Sequence, residues 1–154
     1  MATVYSAQKT KWDQNDPKEN IKPNEMGGRM RVAYALYEAS SLASGDVIEM
    51  FNLPNGARIL SGELVHDAMG SSTTLSVGHA AYKDSDGTDV ALDVDEYKAA
   101  AASTSITTVD IAATSALGRN SVVNADKDGI PITVVMGGAA GTGTVELTMH
   151  YVVD

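Results

Sequence analysis

The residues able to do chemistry in this chain are few and scattered. The loop Asp84-Ser85-Asp86-Gly87-Thr88-Asp89, with Asp93 and Asp95 close behind, could present carboxylates to calcium, an ion that takes six to eight oxygen ligands. Asn124-x-Asp126-x-Asp128-Gly129 matches the first half of an EF-hand loop. Its twelfth position falls on Val135 instead of a bidentate glutamate, and no helix follows. Asp and Gly are also ordinary turn residues. The expectation is no metal site, with Asp84, Asp86 and Asp89 as the residues a calcium ion would use if one bound. His66 and Asp67 are adjacent, so in a strand they point to opposite faces and do not form an acid–base pair. His79 and His150 belong to separate segments, and the three histidines show no HxH or HExxH spacing.

Nucleophile and phosphate motifs are missing too. There is no GxSxG elbow, and Ser71 and Ser72 sit in a turn-like stretch. Gly137–Gly143 is glycine-rich but lacks the lysine and following helix of a phosphate loop. The chain has no cysteine, which excludes disulfides, thiolate metal sites and cysteine nucleophiles. The chain is therefore expected not to be an enzyme and to need no cofactor.

Trp12 is the exception to this quiet chemistry. It is the single tryptophan, set in a polar, lysine-bearing stretch with no core to join. Either it stands exposed on a tail or it anchors the chain on a neighbour, the role large aromatics often play at interfaces. Lys9, Lys11 and Lys18 flank it, with Lys22, Arg29 and Arg31 following, and Met26 and Met30 could pack beneath it.

The elements that would position these residues divide the chain in two. Residues 1–28 hold few large apolar groups, and the Asp16-Pro17 and Lys22-Pro23 pairs favour extended or turn backbone over helix. This is read as an extended N-terminal arm, ending at a Gly27-Gly28 hinge. From residue 29 to 154 apolar residues recur at every second position, as in half-buried strands. Met30, Val32, Tyr34 and Leu36 share one face of a first strand, opposite Arg31, Ala33, Ala35 and Tyr37. Val47–Leu53, Ala57–Asp67, Thr73–His79, Thr104–Ile111, the run holding Ile130, Ile132, Val134 and Met136, and Thr144–Val153 continue the pattern. Leu53-Pro54-Asn55-Gly56 is a strong turn signal. Val94–Ala102, rich in alanine, is the one helical candidate. Seven to eight strands at roughly regular spacing indicate an all-β, antiparallel β-sandwich, jelly-roll-like or immunoglobulin-like, which periodicity alone does not separate.

Composition and charge bound the partners. With 154 residues one domain can bury a core, and with only 5% aromatic residues that core must be aliphatic. The net charge of −9 is uneven. Residues 1–31 carry six basic and four acidic groups, and residues 32–154 carry five basic and sixteen acidic groups. An acidic body repels phosphate, which argues against nucleic acid as a partner. No apolar run approaches the ~20 residues that span a bilayer, so no membrane partner is expected. The N-terminus shows no signal-peptide pattern, consistent with synthesis in a cytoplasm.

The order of segments resembles small structural proteins of tailed bacteriophages. The residues that carry the likeness are GRMRVAYALYEAS (Gly28–Ser40), DVIEMFNLPNGARILSGEL (Asp46–Leu64), HDAMGSSTTLSVG (His66–Gly78), ITVVMGGAAGTGTVEL (Ile132–Leu147) and the closing HYVVD. In that group an "lPkGAr" turn, a "DalGssttLsvG" hairpin and a "GGAAgTGtv" strand recur. The resemblance implies a jelly-roll-like virion protein without enzymatic activity. It implies capsid decoration (cement) on the outside of the head, often as a homotrimer, with the major capsid protein as partner and synthesis in the bacterial host cytoplasm. The arm residues Lys9, Lys11, Trp12, Lys18, Lys22, Arg29 and Arg31 would then contact the capsid or a neighbouring subunit. The chain departs from the group in the long acidic insert YKDSDGTDVALDVDEYK, where a brief Asp-rich turn and a short helix are expected. Two other roles stand as alternatives, a tail, neck or fibre-base protein and a carbohydrate-binding sandwich. Few aromatics are available for the latter.

Overall fold

Among the described residues, alternation of apolar and polar side chains gives ten strands, all paired antiparallel. The computed structural model describes residues 4–14 and 21–153, with side chains from residue 4 to 12 and from 21 to 153. The strands are β1 (Met30–Leu42), β2 (Val47–Leu53), β3 (Arg58–His66), β4 (Thr73–His79), β5 (Tyr82–Lys83), β6 (Asp89–Val90), β7 (Asp93–Ala102), β8 (Thr107–Ile111), β9 (Ile130–Gly138) and β10 (Gly141–Val152). A 3₁₀ turn spans Ser115–Leu117.

Two four-stranded sheets form the sandwich, in the orders β1-β10-β3-β8 and β2-β9-β4-β7, with β5 and β6 a small separate hairpin. Leaving that hairpin aside, eight strands form two sheets in which the first pairs with the last. This is the double Greek key of a jelly roll and not the seven-strand order of an immunoglobulin domain. The core lies between the sheets and is aliphatic. Ile59, Leu64, Leu147 and Met149 face Leu75, Val77, Ile132, Val134 and Met136, all without solvent contact. Register on β3 shifts where His150 pairs with Ser61 and Tyr151 with Ile59. This bulge carries both Ile59 and Leu64 inward although they are five positions apart, because the extra residue resets the two-residue period.

The expected helix at Val94–Ala102 is instead β7. Alanine favours helix by only about 1 kcal/mol or less per residue over most alternatives, and the edge of β4 supplies a competing partner. Thr74 pairs with Ala102, Leu75 with Ala101 and Val77 with Lys98. Tyr97 enters the core, and the buried Lys98 amine donates to the carbonyls of Leu75 (2.9 Å) and Ala99 (3.1 Å). Burial pushes the Lys98 pKa down.

The helix that does form, α1 (Ala7–Gln14), lies in the segment where the proline pairs argued for none. Both prolines follow it in sequence and so do not interrupt it. Ser6 starts it by accepting the Lys9 N–H on its hydroxyl, satisfying one of the free donors of the first turn. Further along, Asn24 donates to the Gly56 carbonyl (3.3 Å) and Glu25 pairs with Arg58 (3.7 Å), so this stretch rests on the end of the sandwich.

Two contacts hold the sheets in register and yield predictions. A Cβ on Gly78 would overlap the carbonyl oxygen of Asp93, because β4 and β7 approach closely where their register shifts. Gly78→Ala is expected to cost about 2–4 kcal/mol, of the size seen when cores are overpacked, read as a lower urea midpoint. Asp67 accepts the Thr144 N–H on its carboxylate (2.9 Å), joining the end of β3 to β10. That backbone hydrogen bond holds the Asp67 pKa below its usual value. A depressed carboxyl contributes stability above its unfolded pKa, and loses it as pH falls through the folded pKa. Asp67→Asn should therefore flatten the stability profile on the acid side, between about pH 5 and pH 2, as followed by urea titration at each pH.

Candidate assembly surface

Of the carboxylates singled out in sequence, Asp84, Asp93 and Asp126 accept backbone N–H groups of their own loops, and Asp89 and Asp128 pair with lysines. Asp84 accepts the N–H groups of Asp86 and Thr88 on one oxygen, which fixes the tip of the β5–β6 hairpin. Asp89 pairs with Lys83, a contact that raises the lysine pKa. In the second loop Asp126 accepts the Asp128 N–H (2.9 Å), while Asn52 donates to the Asp128 carbonyl (2.9 Å). Gly129 then turns at a φ of +77° against the Leu53 carbonyl, which a side chain would obstruct. An open cleft of about 610 Å³ lies between these two loops, lined by Asn52, Tyr82, Lys83, Asp89 and Asp126 among others. Of its charged groups, Lys83 pairs with Asp89 and Asp126 accepts the Asp128 N–H. Among the described residues no three His, Asp or Glu side chains converge as metal ligands.

The histidines are likewise apart. His66 and His79 are buried, each with Nδ1 against the carbonyl of the following residue, and His79 meets Tyr82 edge-to-face. His150 contacts the Ser61 hydroxyl at 3.3 Å. The arm residues do not gather into one patch on their own chain. Lys9, Lys22, Arg29 and Arg31 are exposed, Lys11 is half-buried, and Lys18 lies outside the described residues. Arg31 donates from Nε to the Val153 carbonyl (3.3 Å). Trp12 is 65% exposed. Among the described residues no helix is long and apolar enough to cross a membrane.

The feature that stands out is strand β1. Ala33, Ala35 and Tyr37 pair with Met149, Leu147 and Val145, so they share the face that turns to the core, although Tyr37 keeps 41% of its surface exposed. The other face points outward. It carries Met30, Val32, Tyr34 and Leu36, which are 66%, 57%, 57% and 49% exposed. The sequence groups these four but does not reveal which way they face. A strand apolar on both sides is normally buried on both sides, and one sandwich covers only one of them. Scattered exposed apolar residues are ordinary, but a contiguous row on an edge strand marks an interaction surface.

Register places acidic groups beside this stripe. Tyr34 lies opposite Thr148, which lies opposite Glu63, which lies opposite Asp110. Leu36 lies opposite Glu146, and Glu38 follows on the same face. Tyr34 donates its hydroxyl to Glu146 (3.0 Å), which raises the tyrosine pKa. The outward face is thus an apolar edge bordered by carboxylates. These acidic partners come from three distant segments, so only the strand register brings them together.

No protein-family model and no curated protein matches the sequence. Solved structures do share its architecture. A chain of the cyanophage Pam1 capsid asymmetric unit superposes with a TM-score of 0.60 at 20% identity, over 84% of this chain and 88% of that one. A chain of the Ralstonia phage GP4 capsid superposes with a TM-score of 0.61 at 23% identity, over 82% and 86%. What these similarities establish is a common all-β sandwich fold spanning nearly the whole of each chain.

The two faces of the β1–β10 pair should respond differently to substitution. Val32→Thr, on the outward stripe, should change the stability of the isolated chain by less than about 0.5 kcal/mol. Leu147→Ala, on the inward face, should cost about 2–5 kcal/mol. Urea unfolding of both variants at low protein concentration checks this.

Proposed function

We propose that this chain is a structural protein of a tailed-phage virion, and that it decorates the outside of the head as a cement protein across capsomer boundaries. The observation that carries the reading is the whole-length likeness of its jelly roll to chains of two phage capsids. Coverage is high in both directions, so the similarity is to chains of comparable size and not to one module of a much larger protein. The location is supported by charge. An acidic body is repelled by packaged DNA and belongs on the outer side of a shell. The outward apolar strand supports a role in assembly, since it leaves a surface that another protein must cover.

The physical work of such a protein is to add contact energy at many equivalent places on a lattice strained by packaged DNA. The partner on this reading is the major capsid protein, and copies of the chain associate with one another on the same lattice. The basic and aromatic arm, with Lys9, Lys11, Trp12, Lys18 and Lys22, adds area without enlarging the folded domain, at an entropic cost met on binding, and Arg29 and Arg31 at the start of the body extend the same contact surface. Several arms held in one assembly gain avidity on a repeating surface. Residues 1–28 act as this arm, its last part seated on the sandwich through Asn24 and Glu25, and residues 29–154 as the folded body.

Electron microscopy of purified virions tests the reading. The expected result is density for this jelly roll on the outer surface of the head, in hundreds of copies per particle. Six or twelve copies at the neck or tail would reject decoration in favour of a connector or tail role.

A further inference from the structure

In the segment from Val4 to Trp12, Gln8 and Lys11 are half-buried, Gln8 beside Arg58 and Leu60 at the end of the sandwich, but the large apolar groups are not covered. Val4, Tyr5 and Trp12 are all largely exposed. An eight-residue helix is shorter than the ~12–15 residues that hold in water unaided, so α1 needs a surface to pack on. It carries Lys9 and Lys11 next to its apolar groups. The outward face of the β1–β10–β3–β8 sheet has the opposite character. Its apolar stripe is flanked by Glu38 and Glu146, with Glu63 and Asp110 farther across the same face on β3 and β8.

We propose that the α1 segment of one copy lies across this face of a second copy, with Trp12 on the Val32–Leu36 stripe and the two lysines toward the flanking carboxylates. The complementarity is both apolar and electrostatic, and both halves are present on the same chain, which favours a second copy over an unrelated partner. The contact joins two different surfaces, a helix and a sheet, so it is satisfied either by reciprocal exchange between two copies or by a closed ring of several. Four large side chains, each about half exposed or more, offer roughly 400–500 Å² before the arm's own area is added. That is a substantial part of the roughly 800 Å² per partner of a stable interface. The inference rests on the reading of this chain as an assembling virion protein, and it names what the arm touches.

The absence of cysteine makes a direct test clean. Full-length Gln8→Cys protein, with position 8 one helical turn from Trp12, is mixed with full-length Val32→Cys protein and oxidised. A disulfide-linked pair of the two proteins is the expected product. Replacing Val32→Cys with Asp86→Cys, in the β5–β6 loop, should give little of it. Adding Trp12→Ala to the Gln8→Cys protein should lower the yield about tenfold if Trp12 is the anchor. A doubly substituted chain that closes its disulfide within one molecule at micromolar concentration would overturn the proposal, because the arm would then serve its own sheet. So would no more mixed product than the loop control gives. The assay needs no capsid. Failed cross-linking by a protein that still coats heads would sink the arm placement alone, and successful cross-linking by a protein absent from heads would sink the cement reading alone.

Discussion

The constraint on which the rest depends is that β1 is apolar on two faces and its own domain can cover only one. Ala33, Ala35 and Tyr37 turn toward Leu147 and its neighbours, which leaves Met30, Val32, Tyr34 and Leu36 in water. Each large apolar side chain that moves from water to a packed contact gains about 1.5–3 kcal/mol when burial is complete. A protein that keeps several of them in a row on a free strand edge has stored association energy at that edge. The jelly roll makes this possible, because its first strand pairs on one side only, with the last.

The body of the fold is built to keep that edge in place. Central strands β3, β4, β9 and β10 carry the aliphatic core, and glycines let backbones meet where side chains would not fit. Gly62 sits where a Cβ would come within 2.6 Å of the Thr148 carbonyl oxygen, and Gly78 lies against Asp93. These close approaches tie each sheet together at its bulges. The core fixes the register, and the register sets Glu146 beside the stripe and Glu63 and Asp110 farther across the same face. Packing inside the sandwich thus determines the charge pattern on its outside.

Much of the architecture was legible in the residues. Alternation in β2, β4, β9 and β10 marked strands at close to their observed limits, because one buried face imposes a two-residue period. The segment Val94–Ala102 misled, since alanine's helix preference is small beside the pull of an unpaired strand edge. The helix at Ala7–Gln14 departs from the extended arm that Asp16-Pro17 and Lys22-Pro23 suggest, because a proline restricts only the residues next to it and both lie beyond the helix end. The direction of the β1 stripe was not legible either. Period gives two faces, but only the pairing with Val145, Leu147 and Met149 says which one is inside. One signal was available in sequence. Both faces of that strand read apolar, which a strand with one solvated face does not need. The acidic border could not be read at all, because it is assembled from β1, β3, β8 and β10.

Hydroxyl-radical footprinting of the protein free and bound to phage heads tests the central claim most directly. Met30, Tyr34 and Trp12 should be oxidised readily in the dilute free chain and protected in the assembled one, while Leu92 and Ile106, exposed elsewhere on the sandwich, should react equally in both. Unchanged oxidation of Met30 and Tyr34 on assembly would contradict the account, because the second apolar face of β1 would then have no partner.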